Sequence, residues 1–262
     1  MLKAKSLFKN YNIPGKKGEN SLVRAVNGVD FTLREGQCYA LVGESGSGKS
    51  ALSQMLMGLI PPSSGDVLLN GKSLFSLRGR DAKARFTKIQ MVLQDGKSAL
   101  DPRFTVYDSI SEPIRNLLDV SKERERKMVV ELMQQMELPL SLLGRRVHEL
   151  SGGQQKRVCI ARAIAVSPQF LIFDEAVSGL DVIVRKNILE LLKRLQKERG
   201  FAYLFITHDI DVALYIADQI MVMKEGRIIE SIRYAGDYGC FTHPYSRLLL
   251  ESLVPENTAI QA

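Results

Sequence analysis

The sequence predicts an α/β fold with a mostly parallel sheet, and three features indicate it. Short, almost continuously apolar segments, such as CYALVG from Cys38 and FLIFDE from Phe170, have the length of buried strands. Longer amphipathic segments alternate with them, as expected for helices that cover both faces of such a sheet. The 262 residues, 45% hydrophobic and 25% charged, are enough for one large domain or a domain with a smaller lobe.

The first part of the chain is predicted to be rich in strands. LKAKSLF and AVNGVDFTL have strand patterns and stand on either side of a predicted loop, NIPGKKGENS. CYALVG then leads into a glycine-rich loop and a helix predicted from about Lys49 to Ile60, which PPSSG ends. DVLLNGK and IQMVLQ are the next predicted strands, and FLIFDE and YLFITHD follow later with a helix between them.

Between about Val106 and Arg162 the pattern becomes helical. In KMVVELMQQMEL the apolar residues return to one helical face, which is the usual pattern of core packing. KERERK, from Lys122, alternates in sign and indicates a solvated helix face. We therefore predict a helical lobe, at about 106–162, inserted into the α/β core.

Composition alone leaves several classes of partner open. The net charge of +7 is spread along the chain, which suits a polyphosphate ligand, nucleic acid or an anionic membrane surface. No apolar run reaches the roughly 18–20 residues that cross a bilayer, and MLKAKSLFKN lacks the apolar core of a secretory signal. The cysteines, Cys38, Cys159 and Cys240, share no metal-ligand spacing and are predicted to be reduced thiols, mostly buried.

GESGSGKS matches the phosphate-binding loop pattern G-x-x-x-x-G-K-[ST] between a strand and a helix. The backbone N–H groups of such a loop, together with the helix dipole, bind phosphate. Lys49 is expected to reach the β- and γ-phosphates and Ser50 to ligate Mg²⁺. The predicted nucleotide contacts of the loop are Gly43, Glu44, Ser45, Gly46, Ser47, Gly48, Lys49, Ser50 and Ala51.

Two acids end the segment FLIFDE. Asp174 is predicted to hold the Mg²⁺ shell, usually through water. Glu175 is then placed to orient and polarise the water that attacks the γ-phosphate. These parts together fit many nucleotide hydrolases.

LSGGQQKRVCIARAIA, from Leu150 to Ala165, begins on two adjacent glycines and then reads as a helix. Gly152 and Gly153 leave N–H groups exposed at the helix start, which makes a second anion site. The chain already has a complete phosphate loop. The second site therefore requires a second nucleotide, or the same nucleotide approached from another molecule.

LSGGQ, with GESGSGKS and LIFDE in this order, resembles the ATP-binding cassette (ABC) ATPases, and the resemblance extends to about Glu230. It implies a P-loop NTPase (RecA-like) core with a mostly parallel sheet, an N-terminal antiparallel β subdomain and an inserted α-helical subdomain. The ATPase domain would span 1–232, and 233–262 would form a short C-terminal extension. ATP and Mg²⁺ are the implied cofactors.

The resemblance also implies a head-to-tail pair of cassettes, in which each nucleotide lies between the phosphate loop of one and LSGGQ of the other. The implied contacts made in trans are Ser151, Gly152, Gly153 and Gln154, and Asp181, in SGLD, matches the D-loop at the dimer seam.

Three further motif residues take family roles. Gln94 matches the Q-loop glutamine that senses Mg²⁺ and water, and His208, in FITHD, matches the switch histidine at the γ-phosphate. Tyr11 stands where the family places an aromatic ring on adenine, with Phe8 as a nearby rival. The predicted catalytic residues are Lys49, Gln94, Glu175 and His208, and the predicted Mg²⁺ ligands are Ser50, Gln94 and Asp174.

Within the family, YNIPGKKGENS, QDGKSALDPRFTV and the tail HPYSRLLLESL resemble importers of the peptide and nickel subfamily, and DEAVSGLD is most similar to nickel-type cassettes. The implied function is uptake of nickel or a metal chelate from the cytoplasmic face of the inner membrane. Implied partners are two transmembrane permease subunits, an extracytoplasmic substrate-binding protein and a second cassette, either a different chain or another copy.

Two alternatives stay open at this point. One is a di- or oligopeptide importer ATPase, although the cysteine-rich tail of the peptide importers is absent. The other is an ABC ATPase that acts on ribosomes or nucleic acid. Such proteins usually carry two cassettes or a long coiled-coil insertion, and this chain has neither, so no nucleic-acid partner is expected.

Overall fold

A computed structural model describes residues 1–14, 20–94 and 99–251 of the chain. The chain divides into two compact units, of which the first comprises Met1–Phe75 and Leu204–Ala262 and the second Ser76–Tyr203. Among the described residues, no helix combines the length and the apolar composition that crossing a bilayer requires.

The N-terminal sheet of the first unit is antiparallel, with the strand order β2-β1-β4-β5. Its strands are β1 (Leu2–Pro14), β2 (Asn20–Leu33), β4 (Ser64–Leu69) and β5 (Lys72–Ser73). The loop predicted from Asn12 to Ser21 is shorter than the sequence suggested. Its flanks continue the hairpin, with Asn12 opposite Leu22, because the ladder satisfies backbone groups whatever the side chains. Residues 15–19 lie outside the described residues.

The other strands of the first unit run in the order β10-β9-β3-β8. They are β3 (Cys38–Val42), β8 (Ala202–Thr207), β9 (Gln219–Lys224) and β10 (Arg227–Arg233). β3 is buried throughout and pairs in parallel with β9, which pairs antiparallel with β10. Three helices of this unit are α1 (Lys49–Leu56), α7 (Ile210–Ile216) and α8 (Pro244–Glu251).

α1 ends earlier than the predicted Ile60, and Gly58 explains the difference. Gly58 has a φ of 70°, and its N–H donates to the carbonyl of Met55 at 2.9 Å. The N–H of Leu59 donates to the carbonyl of Gln54, also at 2.9 Å. This is the hydrogen-bond pattern with which a left-handed glycine ends a helix.

The second unit contains two strands and most of the helices. β6 (Ile89–Val92) and β7 (Phe170–Asp174) are parallel neighbours, with Ile89 opposite Phe170. The α-helices of this unit that the structure describes in full are α2 (Gly79–Ala84), α3 (Val106–Leu117), α4 (Lys122–Gln135), α5 (Gly152–Ile164) and α6 (Val182–Arg199). The predicted α/β class, with an antiparallel N-terminal sheet and parallel strands joined by helices, is confirmed.

The segment KERERK, at the start of α4, differs from its prediction at one residue. Glu125 is buried, whereas the other five residues are exposed. Its carboxylate accepts hydrogen bonds from the Tyr107 hydroxyl at 2.8 Å and from Arg115 Nε at 3.0 Å, both on α3. The hydrogen bond from Arg115 is the main reason that the pKa of Glu125 is lowered. This network ties α3 to α4.

Candidate functional site

The phosphate-binding loop joins β3 to α1, and neighbouring backbone explains two of its glycines. A Cβ atom at Gly43 would lie 2.2 Å from the carbonyl oxygen of Met223 on β9. At Gly48, where φ is 106°, it would lie 2.0 Å from the carbonyl oxygen of Ala25 on β2. Side chains at either position would push these strands away from the loop.

Lys49 lies 6% exposed beneath the loop. Its Nζ donates to the carbonyl oxygens of Gly43 at 2.7 Å and Glu44 at 2.8 Å. Gly48, which precedes α1, offers no side-chain cap to the first-turn N–H groups. Uncapped amides and an ammonium group on one short loop form a donor set that suits a polyphosphate.

Most of the other predicted residues of the loop are at or near the surface. Glu44, Ser45, Gly46 and Ser50 are exposed, Ala51 is half-buried, and Ser47 is buried. The Ser50 hydroxyl is a hard oxygen donor of the kind that Mg²⁺ prefers.

The turn between β9 and β10 is hydrogen-bonded to the second half of the phosphate-binding loop. Glu225 and Gly226 both have positive φ values, 48° and 78°. The N–H of Gly226 donates to the carbonyl of Ser47 at 2.9 Å, and its own carbonyl accepts from the N–H of Asn27 at 2.8 Å. No sequence pattern predicts this contact, because it depends on which hairpin lies beside the loop.

Tyr11 and Phe8, the rivals for the adenine ring, differ in accessibility. Tyr11 is 40% exposed, with Lys9 Nζ 5.3 Å from its ring centroid. Phe8 is half-buried, and its ring packs against Gly28, where a Cβ atom would come within 3.2 Å of Cζ. The Tyr11 ring is therefore accessible to a ligand, whereas the Phe8 ring packs against Gly28. His208, directly after β8, is exposed.

In the second unit, the two predicted acids lie at the end of β7. Asp174 is its last residue, and Glu175 has a φ of 49°, a conformation that strains a non-glycine residue. The carbonyl of Glu175 accepts from the Ser178 N–H at 3.1 Å and from its hydroxyl at 2.7 Å, and these bonds hold the turn. Gln94, two residues beyond β6, is exposed. Carboxylate and amide oxygens suit Mg²⁺.

Ser151 and Gln154 cap the start of α5 reciprocally. The Ser151 hydroxyl accepts from the Gln154 N–H at 3.3 Å, and the Gln154 Oε1 accepts from the Ser151 N–H at 3.1 Å. This capping box gives both side chains a structural role in addition to the contact predicted for them.

The two glycines of LSGGQ differ in what surrounds them. A Cβ atom at Gly153 would lie 3.0 Å from Val184 Cγ1, so the start of α6 limits this position. A Cβ atom at Gly152 would meet no atom of the described part of the chain within 4 Å, its own helix backbone aside. The motif predicts the same role for both glycines, whereas their surroundings in the structure differ.

α5 also contacts the chain around Gln94 through side chains that sequence reasoning missed. Lys156, 3% exposed, donates from Nζ to the carbonyls of Leu93 at 2.9 Å and Gln94 at 2.7 Å. Farther along α5, Arg162 Nη1 donates to the carbonyl of Ala99 at 2.7 Å. Sequence reasoning does not distinguish these cations from surface charges. Residues 95–98 lie outside the described residues.

Asp181 caps α6, since its Oδ1 accepts from the Val184 N–H at 2.9 Å. The next two residues, Val182 and Ile183, are 77% and 72% exposed. The two side chains form an exposed apolar pair directly after Asp181.

These features define an ATP-hydrolysing cassette, and comparison with known proteins agrees. The family model described as "ABC transporter" matches residues 26–178. The chain therefore belongs to the ABC transporter family, and it is an ATPase of the transport-coupled type.

Two relatives are similar over almost the whole chain. The nickel import ATP-binding protein NikE of Escherichia coli O157:H7 is 40% identical over 97% of this chain and 95% of its own length. NikE of Brucella suis biovar 1 is 38% identical over 97% of this chain and 96% of its own length.

Solved structures show the same fold. The ATP-binding cassette MJ0796, in a dimeric post-hydrolysis state bound to ADP and phosphate, has a TM-score of 0.79 and 30% identity, covering 90% of this chain and all of its own. CbiO1 from Clostridium perfringens, part of the transporter complex cbiONQ, has a TM-score of 0.75 and 34% identity, covering 88% of this chain and 87% of its own.

Proposed function

We propose that this chain is the ATP-hydrolysing subunit of an import system for nickel or a metal chelate. The observation that carries the proposal is the 40% identity over 97% of the chain to a protein named for nickel import. The proposed partners are two transmembrane permease subunits, an extracytoplasmic substrate-binding protein and a second cassette. The chain would work at the cytoplasmic face of the inner membrane.

The phosphate loop would bind the nucleotide. Its amides and the Lys49 ammonium would bind the β- and γ-phosphates, and Tyr11 would stack on adenine. Bound Mg²⁺, held by Ser50, Gln94 and Asp174, would neutralise phosphate charge. Support comes from the uncapped start of α1 and from the oxygen donors at these three residues.

Hydrolysis of the bound ATP would depend on Glu175 and His208. Glu175 would accept a proton from the attacking water and orient it, while His208 would contact the γ-phosphate. The strained backbone of Glu175, fixed by Ser178, supports a requirement for a particular carboxylate direction.

We also propose that the site is completed in trans by Ser151, Gly152, Gly153 and Gln154 of a second cassette, with Asp181 at the seam. Gly152 supports this, because among the described residues, its own helix backbone aside, no atom lies within 4 Å of where its Cβ would be. The exposed pair Val182 and Ile183 beside Asp181 supports a partner surface in the same region. Closure driven by ATP and reopening after hydrolysis would move the membrane subunits.

Uptake in cells tests the substrate class. Cells lacking the chain would receive the wild-type protein or Glu175→Gln, and the uptake of radioactive nickel, nickel chelates and a labelled dipeptide would be compared. We expect only the wild type to restore accumulation of nickel or its chelate. Restored peptide uptake without nickel uptake would show that the peptide alternative is correct.

A further inference from the structure

The chain after β10 is anchored to that strand by one carboxylate. Glu230 Oε1 accepts hydrogen bonds from the Thr242 N–H at 2.7 Å, the Thr242 hydroxyl at 2.8 Å and the His243 N–H at 3.0 Å. Phe241, 1% exposed, lies beside these donors in the core. The anchor attaches the start of α8 to β10 and thereby limits where the next residues can lie.

Tyr245, in the first turn of α8, contacts the phosphate loop. It is 7% exposed, and its hydroxyl accepts a hydrogen bond from the N–H of Glu44 at 3.3 Å. Lys224, at the end of β9, lies over the ring with Nζ 4.7 Å from the centroid. Burial raises the pKa of Tyr245, so the hydroxyl stays neutral at physiological pH.

Tyr245 and Lys49 hold the two sides of the same peptide group. The carbonyl of Gly43 accepts from Lys49 Nζ at 2.7 Å, and the N–H of that peptide, which belongs to Glu44, donates to Tyr245. Hydrogen bonds at both its oxygen and its nitrogen oppose rotation of this peptide relative to the rest of the loop. If Lys49 turns toward a phosphate, the bond to Tyr245 still holds this peptide.

We propose that Tyr245 is a positioning residue for the phosphate loop, and that the C-terminal extension thereby forms part of the support of the nucleotide site. Its action is indirect, through the Gly43–Glu44 peptide. The inference rests on the proposed function of this loop as the ATP site. It gives the tail HPYSRLLLESL a role that its resemblance to a subfamily did not supply.

The test compares Tyr245→Phe with Tyr238→Phe in the full-length chain. Tyr238 lies in the same extension and is 58% exposed, so its variant controls for the loss of a hydroxyl alone. A lost hydrogen bond of ordinary strength corresponds to about a 2- to 10-fold effect. We expect Tyr245→Phe to weaken ATP binding by about this factor in calorimetry and to speed hydrogen exchange at the Glu44 amide, with Tyr238→Phe unchanged.

Lys49→Ala, measured in parallel, separates this inference from the proposed function. If Lys49→Ala weakens ATP binding but Tyr245→Phe alters neither affinity nor exchange at Glu44, the role of Tyr245 is refuted and the ATP site stands. If Lys49→Ala leaves affinity intact, the ATP site itself is refuted. Should Tyr245→Phe be unstable, Glu230→Ala tests the same link, because removing the acceptor of the anchor is expected to raise hydrogen exchange at the Glu44 amide. An unchanged exchange rate would overturn the inference.

Discussion

At Glu175 the backbone has a φ of 49°, which an ordinary residue reaches only at a free-energy penalty of about 1–3 kcal/mol. The turn is fixed by the two hydrogen bonds from Ser178 to the Glu175 carbonyl. The motif LIFDE identified Glu175 as the carboxylate that is predicted to act on the attacking water. It could not predict the strain, because that depends on the turn in which the residue is held.

Glu175→Gln is expected to leave ATP binding intact and to reduce hydrolysis by about 100-fold or more in the assembled transporter, because the attacking water loses its base. ATP binding by calorimetry and phosphate release measure the two effects. Glu190→Gln, on the exposed face of α6, is the control and should match the wild type. Turnover by Glu175→Gln at the wild-type rate would show that another group is the base.

The same limit applies to the signature glycines. The motif LSGGQ identified both positions from the sequence, but only the folded structure shows that Val184 restricts Gly153, while Gly152 faces open space in the described part of the chain. Tyr245, Gly226 and Lys156 were not predicted as parts of the site. Their contacts join segments far apart in the chain, and no local pattern marks them.

Among the elements, α5 links the signature to the Gln94 region. Lys156 satisfies two carbonyls there while almost fully buried, and Arg162 contacts a third, that of Ala99. A buried charge is tolerated only where such acceptors surround it. α5 therefore holds the backbone on both sides of residues 95–98.

Lys156→Met keeps the length of the side chain and removes its ammonium group, leaving two carbonyls without this donor. We expect the free energy of unfolding to fall by about 1.5–3 kcal/mol, as for other hydrogen bonds to charged groups. Denaturant titration with Lys127→Met, exposed on α4, as the matched control measures the effect. Equal stability of both variants would mean that the buried contacts contribute nothing net.

The anchor of α8 predicts a dependence on pH. Burial alone would raise the pKa of Glu230, but the nearby Ser246 side chain and the hydrogen bonds from Thr242 and His243 outweigh it and lower the pKa to about 2 from an ordinary 4.5. The folded state therefore gains stability above the unfolded pKa, and loses it as pH falls from about 4.5 toward 2. After allowance for solvent screening, this loss is about 2 kcal/mol.

Urea titrations at pH 6 and pH 3 measure this contribution. The wild type is expected to lose more stability between these values than Glu230→Gln, which has no carboxylate to protonate. Equal losses in the two proteins would contradict the assignment of the lowered pKa to Glu230.

For the whole molecule, the sequence predicted the fold class, the order of the motifs and the family, because each depends on local patterns. It placed the end of α1 and the extent of the N-terminal hairpin wrongly. Those boundaries depend on the left-handed turn at Gly58 and on pairing between β1 and β2. The proposed sharing of an active site between two molecules is indicated only indirectly, by the open space beside Gly152.

The substitution Gly152→Asp tests completion of the site by a second cassette most directly. Inside the chain the new side chain has space, and a carboxylate at a helix start is favourable, so the free energy of unfolding should be unchanged or higher. Facing a partner's γ-phosphate, the same charge would repel it. Gly144→Asp, also in open space, is the matched control.

We predict that the assembled transporter carrying Gly152→Asp loses ATP hydrolysis by about 100-fold or more, the scale of a lost transition-state contact, while Gly144→Asp keeps it. Full hydrolysis by Gly152→Asp, in a complex whose only competent signature is the altered one, would contradict the account.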